Sequence, residues 1–278
     1  MESGGELEIL CVDAMTVYRR MDLATAKPTR EQRAQVRYHL LDLVDASEEY
    51  SVEAFQRRAR EVADAVWSRG HRVLYVGGTG LYARAVIDDL EIPGRFPALR
   101  QELERRASVD LASLYDQLAR LDPLAASRME PTNERRVVRA LEVTLGAGRP
   151  FSSYGAGLES YGGAAAPQVG LRVAREELDA RVEARFRVWL DQGLLEEVRE
   201  LARSPRGLSR TARQAVGYRQ LLAHVEDGAD LQACVEEALT QSRRLARRQR
   251  SWFERDPRVE WFDDPLGAKA RVQALIGR

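Results

Sequence analysis

Three kinds of side chain in this 278-residue chain are placed to do chemistry. The first is a carboxylate: Asp13 directly follows the apolar run Ile9-Leu-Cys-Val12. Beyond the carboxyl end of a strand in an open α/β sheet, a carboxylate faces the ligand edge, where it accepts a proton or holds a substrate amine. The same residue type at the same point equally serves as a helix N-cap. The second is a hydroxyl: Thr79 lies inside Val76-Gly-Gly-Thr-Gly-Leu-Tyr82. Gly77, Gly78 and Gly80 let a ligand approach the backbone closely, or simply turn the chain from strand to helix. The third is a set of guanidinium groups. Arg135, Arg136 and Arg139 fall on neighbouring positions of one helical face. Arg243, Arg244, Arg247, Arg248 and Arg250 run up to Trp252 and Phe253. Arginine interleaved with aromatics combines phosphate contact with a stacking surface, as nucleic-acid binding requires. A solvated stripe, or acidic partners within the fold, accounts for the same pattern. Lys27, extended by Pro28 after it, is open to a phosphate or to solvent, and His39 reads as structural rather than as a ligand.

These residues need elements to carry them. Ile9–Val12 and Tyr38–Val44 read as strands, as does the β-branched and aromatic run Val73–Val76. Between the last two, Ser51 caps a helix over 52–69 whose apolar face is Val52, Phe55, Ala59, Val62 and Val66. Strand, helix, strand, helix is the rhythm of an α/β fold with a parallel sheet. Pro93-Gly94 and Pro97 mark a boundary, after which 98–107, 111–121 and a third helix through Val143 follow without strands. The Gly-, Ser- and Ala-rich run 152–166 reads as a mobile loop. A strand over 169–173 restores the α/β pattern. A helix over 175–201 with a stop or kink at Gly193 follows, and a last long helix covers 231–255. The expected organisation is a core domain in two parts, 1–92 and 167–278, enclosing a helical insertion, 93–166.

Composition limits the function less than the motifs do. A chain with 44% hydrophobic residues buries a real core. Basic and acidic residues balance at 43 each, so net charge is silent about nucleic acid. Lys27 and Lys269 are the only lysines. Cys11 and Cys234 are too far apart in sequence for a paired-ligand motif, so neither a disulfide framework nor a metal site is expected. No apolar run reaches membrane-spanning length and no signal peptide is visible, which predicts a cytoplasmic protein without a membrane partner.

The order of the motifs is more specific than any one of them. Asp13-Ala-Met-Thr-Val-Tyr, Met21-Asp-Leu-Ala-Thr-Ala-Lys-Pro, Tyr38-His-Leu-Leu-Asp, Tyr50-Ser, Val76-Gly-Gly-Thr-Gly-Leu-Tyr, Arg139-Ala-Leu-Glu, Val216-Gly-Tyr-Arg-Gln and Arg243-Arg-Leu-Ala-Arg-Arg-Gln-Arg-Ser-Trp252 follow one another along the chain. That succession closely resembles bacterial tRNA dimethylallyltransferases, from about residue 5 to residue 264. The resemblance implies a P-loop NTPase-like parallel-sheet core with a helical insertion that grips the anticodon stem-loop of tRNA. It implies transfer of a dimethylallyl group from dimethylallyl diphosphate to N6 of the adenosine just 3′ of the anticodon, assisted by Mg2+, in a monomer.

By the same resemblance Asp13 and Thr79 are the catalytic pair, and Asp13, Ala14, Met15, Thr16, Thr79 and Arg100 meet the tRNA. Arg135, Arg136, Val137, Val138 and Arg139, with Arg243, Arg244, Arg247 and Arg248, hold its backbone. Gln214 stands where some relatives carry a diphosphate-facing arginine, and Arg213 or Arg219 is expected to substitute. One departure stands out. Family members carry a strand, a Gly-x-Thr-x-x-Gly-Lys-Ser/Thr loop and a helix ahead of the Asp13 segment, and none precedes Asp13 here. The expectation is that Met1 marks a misassigned start or a truncation, with diphosphate anchoring and activity reduced. The alternatives are a non-catalytic tRNA-binding relative and a P-loop small-molecule kinase.

Overall fold

β1 (Leu7–Val12) runs through the middle of a parallel sheet, and its Leu10, Cys11 and Val12 are buried, as a strand covered on both faces requires. The computed structural model describes residues 6–155, 160–162 and 166–277. They belong to two units, one comprising Met1–Asp88 and Gly163–Arg278 and the other Asp89–Gly162.

In the first unit, α1 (Arg30–Gln35) is a short helix closed by a Thr29–Gln32 capping box, and β2 (Arg37–His39) follows it. The strand expected to reach Val44 ends at His39 because Leu40 and Asp42 take left-handed backbone (φ 65° and 55°). Val44 makes only an isolated parallel bridge with Tyr18. α2 (Val52–Trp67) starts where Ser51 Oγ accepts the Ala54 amide at 3.1 Å, and it buries Phe55, Ala59, Val62, Ala63 and Val66. It stops two residues short of the expected end. β3 (Arg72–Gly77) and α3 (Gly80–Ile87) complete the βαβα pattern. The sheet order is β2-β1-β3, with Ile9 opposite both Tyr38 and Leu74 and Val12 opposite Gly77.

The second unit is helical. α4 (Pro97–Leu121) covers both helices expected there, and Asp110 separates them with non-helical backbone (φ −151°, ψ 86°). The Asp110 carboxylate accepts the Ser113 amide at 3.0 Å, as the cap of the second segment. α5 (Pro123–Ser127) and α6 (Glu134–Ala147) follow, and Leu103, Leu114, Leu118, Val137, Val138 and Leu141 form this unit's core. The run expected to be a mobile loop begins anchored: the Ser152 amide and hydroxyl both donate to Asp122, at 2.7 and 2.6 Å. Of that run, residues 156–159 and 163–165 lie outside the described residues.

The chain then returns to the first unit. β4 (Gln168–Leu171) pairs in parallel with the later β5 (Val259–Phe262) as a separate two-stranded sheet. Between them lie α7 (Arg175–Asp191), α8 (Leu194–Ala202), α9 (Tyr218–Asp227) and α10 (Leu231–Glu254), and α11 (Pro265–Ile276) follows β5. Gly193, at φ 98°, divides the expected helix over 175–201 into α7 and α8. Phe186, Leu194, Val198, Tyr218 and Leu221 pack into one core with Leu10, Val12, Tyr18 and Phe55. Residues far apart in sequence therefore brace the same sheet.

The amino-terminal foot of β1 carries a buried Glu8. Its carboxylate accepts from His39 Nε2 at 2.5 Å, His71 Nδ1 at 2.7 Å and Arg69 Nη2 at 2.8 Å. His39 is thus structural. Burial pushes the Glu8 carboxyl up, but the bonds from Arg69, His39 and His71 outweigh it and hold the group at about 2 instead of 4.5. A depressed folded-state value contributes stability above the unfolded value, and that contribution is lost as pH falls from 4.5 towards 2. Glu8→Gln should therefore flatten this part of the acid-unfolding profile, measured as the urea midpoint between about pH 6 and pH 3. A profile as steep as the wild type's would contradict the role given to Glu8.

Candidate active site

The site is built where β1 and β3 end side by side. Val12 and Gly77 are partners in register, and a Cβ on Gly77 would collide with the Val12 carbonyl. Glycine is what lets the two strand ends converge. One residue beyond Val12 stands Asp13, and two beyond Gly77 stands Thr79. Thr79 Oγ1 donates to Asp13 Oδ2 at 3.1 Å and accepts the Ala14 amide at 3.1 Å. Asp13 Oδ1 accepts the amides of Met15 at 2.7 Å and Thr16 at 3.2 Å.

This geometry decides between the readings of Asp13. No helix follows it; its carboxylate closes a turn over residues 13–16 and also reaches across to Thr79. An ionised carboxylate has about four lone-pair positions. The Met15, Thr16 and Thr79 bonds occupy three of them, so the half-buried group keeps the capacity to accept one more donor, such as an incoming N–H. Thr79 occupies the N-cap position of α3 but makes no cap bond there, because its hydroxyl is turned to Asp13. Ala14 and Met15 are half-buried beside the pair, whereas the Thr16 side chain is buried.

The close neighbours of the other loop glycines are protein groups rather than an open ligand path. A Cβ on Gly78 would lie 2.6 Å from Gln249 Nε2, and one on Gly80 would overlap the Trp252 indole. The end of α10 therefore lies on the Thr79 loop. A second brace holds the segment after Asp13. Lys27 is neither solvated nor free for phosphate: its side chain is 2% exposed, and Nζ donates to the Tyr18 carbonyl, Asp22 and Asp42, each at 2.6 Å. Glu197 on α8 accepts the Asp22 amide at 3.1 Å, the Leu23 amide at 3.4 Å and the Tyr218 hydroxyl. Burial drives the Glu197 carboxyl up, against the bonds it receives from Tyr218 and the Asp22 amide. Burial and Glu197 drive the Tyr218 phenol up, so it donates in its neutral form. Within the run 216–220, Tyr218 is thus a structural brace. Glu197 was missed because nothing local distinguishes it from other acidic residues on its helix.

The arginines divide into engaged and open groups. In the helical unit, Arg100 binds Glu104 at 2.8 Å and Glu142 at 3.1 Å. Arg139 donates to the carbonyls of Gly94 at 3.0 Å and Pro93 at 2.8 Å and pairs with Glu142. Arg135 and Arg136 are exposed. Val137 and Val138, expected among the tRNA contacts, are 0% and 1% exposed and belong to the core. Their side chains cannot reach RNA while the helix stays packed. On α10, Arg243 is half-buried beside Glu183 at 3.3 Å and Asp179 at 3.9 Å. Arg244, Arg247 and Arg248 are exposed, and no hydrogen bond or ion pair engages their side chains among the described residues. Arg213 is held by Glu226, with one bond of 3.0 Å, whereas Arg219 is exposed. No cluster of three or more potential metal-ligating side chains is found among the described residues.

Residues 16–256 match the family described as IPP transferase. A tRNA dimethylallyltransferase of Bifidobacterium animalis subsp. lactis is 44% identical over 94% of this chain and 75% of its own length. One of Kineococcus radiotolerans is 44% identical over 99% of this chain and 88% of its own. A full-length tRNA isopentenylpyrophosphate transferase from Bacillus halodurans superposes with a TM-score of 0.68 at 31% identity, covering 97% of this chain and 87% of that one. A eukaryotic dimethylallyltransferase solved acting on tRNA shares the fold, with a TM-score of 0.76 at 23% identity over 96% of this chain and 71% of that one.

Thr79→Val removes the acceptor of the Ala14 amide and the donor to Asp13, at a cost of about 1 kcal/mol. Native-state hydrogen exchange at the Ala14 amide should accelerate in Thr79→Val and stay slow in Thr79→Ser. Equal exchange in both variants would break the link between the two strand ends.

Proposed function

The chain belongs to the IPP transferase family of tRNA dimethylallyltransferases, and from that premise we propose that Asp13 and Thr79 form its catalytic pair. The substrate we assign is dimethylallyl diphosphate with a tRNA whose adenosine just 3′ of the anticodon presents its N6 amine. In the step, the N6 lone pair forms a bond to the allylic carbon while the carbon–oxygen bond to the diphosphate breaks. The bonding pair leaves on pyrophosphate and the N6 proton passes to Asp13. An exocyclic adenine amine is a weak nucleophile, so an ionised acceptor at hydrogen-bond reach contributes directly to the rate. The observation that carries this reading is the Thr79–Asp13 bond of 3.1 Å, which orients the carboxylate and leaves one acceptor position open. The adenine must leave its stack to reach it, at a cost of a few kcal/mol that is smaller in a loop than in a duplex.

The remaining roles follow from which side chains are free. Arg244, Arg247 and Arg248 on α10, and Arg135 and Arg136 on α6, are exposed and suited to RNA phosphates. Arg100, Arg139 and Arg243 are tied to acidic or backbone partners and hold their helices in place. Arg219 is better placed than Arg213 to meet the diphosphate, because Glu226 already neutralises Arg213. In this reading Mg2+ would be held by oxygens of the diphosphate. No step is assigned to the ion. A parallel sheet with its chemistry at the strand ends suits a P-loop NTPase-like core. No described helix is long and apolar enough to cross a membrane, in keeping with a cytoplasmic enzyme.

Incubation of the protein with unmodified tRNA and radiolabelled dimethylallyl diphosphate should move label onto the tRNA. Binding of tRNA without transfer, or ATP turnover without labelled tRNA, would overturn the reading. Replacing Arg244, Arg247 and Arg248 together by alanine should weaken tRNA binding across sequences and reduce the slope of log K against log salt by roughly two to three. An unchanged slope would remove this helix from the RNA contact.

A further inference from the structure

Arg244, Arg248 and Trp252 stand four residues apart on α10, so they form one continuous row along the helix surface. The two arginines at its start are exposed. The indole at its end covers Gly80, and one position over, Gln249 covers Gly78, where a Cβ would lie 2.6 Å from its Nε2. Gly78 and Gly80 are the two chain neighbours of Thr79. Neither has positive φ, so backbone freedom does not explain glycine at these positions. At Gly80 the requirement is space, which the Trp252 ring occupies; at Gly78 the neighbour is the movable end of the Gln249 side chain. Thr79 sits between them in extended conformation (φ −86°, ψ 93°); its carbonyl accepts the Ala83 amide at 3.0 Å, but its side chain makes no cap bond to α3, being turned to Asp13.

We propose that Trp252 and Gln249 are positioning residues that press the Thr79 loop into the conformation in which Oγ1 reaches Asp13, so that RNA seated on the arginine row acts on the catalytic pair. The inference rests on the function proposed above and adds residues that do not themselves touch the reacting atoms. Two consequences separate it from plain packing of α10. The contact must affect the rate of the bound complex rather than RNA affinity, because the arginines bind and the indole positions. Its effect must also pass through Thr79.

The experiment uses the full chain with tRNA and dimethylallyl diphosphate, reading single-turnover kcat at saturation, tRNA Kd at fixed salt, and the thermal midpoint. Gly80→Ala drives a methyl group into Trp252 and should lower kcat by about tenfold to 100-fold, with Kd changed less than about twofold. Trp252→Ala should lower kcat similarly, and Trp252→Phe should recover most of it. The double variant Gly80→Ala with Trp252→Ala should be no slower than Trp252→Ala alone, because the added methyl then has room. In a Thr79→Ala background, Trp252→Ala should cost nothing further. Gln249→Ala, which removes no indole, should also lower kcat and keeps the test decisive should Trp252→Ala not fold.

Additive losses in either pair, a kcat unchanged in Gly80→Ala or Gln249→Ala, or losses confined to Kd or the thermal midpoint would overturn the proposal while leaving the proposed function standing. Failure of the wild type to transfer label would overturn both.

Discussion

The structure depends on the convergence of two strand ends. Val12 and Gly77 approach so closely that no side chain fits between the Gly77 backbone and the Val12 carbonyl, and this brings the loops beyond them within reach of one hydrogen bond. The Thr79–Asp13 bond, with the amides of Ala14, Met15 and Thr16, turns two separate loops into one edge. Sheet geometry sets the position, and side-chain chemistry locks it. The carboxylate accepts three hydrogen bonds, one fewer than its lone pairs allow, which suits the general-base role proposed for it.

Around this edge the fold uses buried polar and charged groups, each with a partner, rather than apolar packing alone. Lys27 pins the segment after Asp13 from inside. Glu197 and Tyr218 hold its backbone from α8 and α9. At the far end of α3, Asp88 receives Arg258 at 2.5 Å, and Arg258 also binds Asp256 at 2.7 Å, joining that helix to the entry of β5. Removing one member of such a pair leaves an uncompensated buried charge, which costs more than the pair contributes. These networks therefore specify where loops lie more than they add to net stability.

What could be read from the sequence follows this physics. That Asp13 and Thr79 would meet at one sheet edge was legible because strand ends and glycine turns are local patterns, and an α/β fold constrains where such ends point. Lys27 and Arg139 were not. Each looked available for phosphate, but the groups that claim them lie elsewhere: Asp42 for Lys27, and the carbonyls of Pro93 and Gly94 for Arg139. Val137 and Val138 show the opposite error, since a basic stretch drew attention to two residues whose apolar side chains face a core. The glycines of the Thr79 loop were correctly singled out but for an incomplete reason. Their neighbours are Val12, Gln249 and Trp252, and two of these are more than 160 residues away in sequence. The early end of β2 likewise turned on the left-handed backbone of Leu40 and Asp42, which no propensity announces.

In the proposed function Asp13 does more than shape the turn: it accepts the proton of the attacking amine. Asp13→Asn separates the two roles, because an asparagine oxygen still accepts the Met15 and Thr16 amides but cannot take up the proton. In single-turnover prenyl transfer at saturating tRNA, this variant should lose between about 10²- and 10⁴-fold in rate with its tRNA affinity unchanged. A rate within a few-fold of the wild type would remove Asp13 from proton transfer.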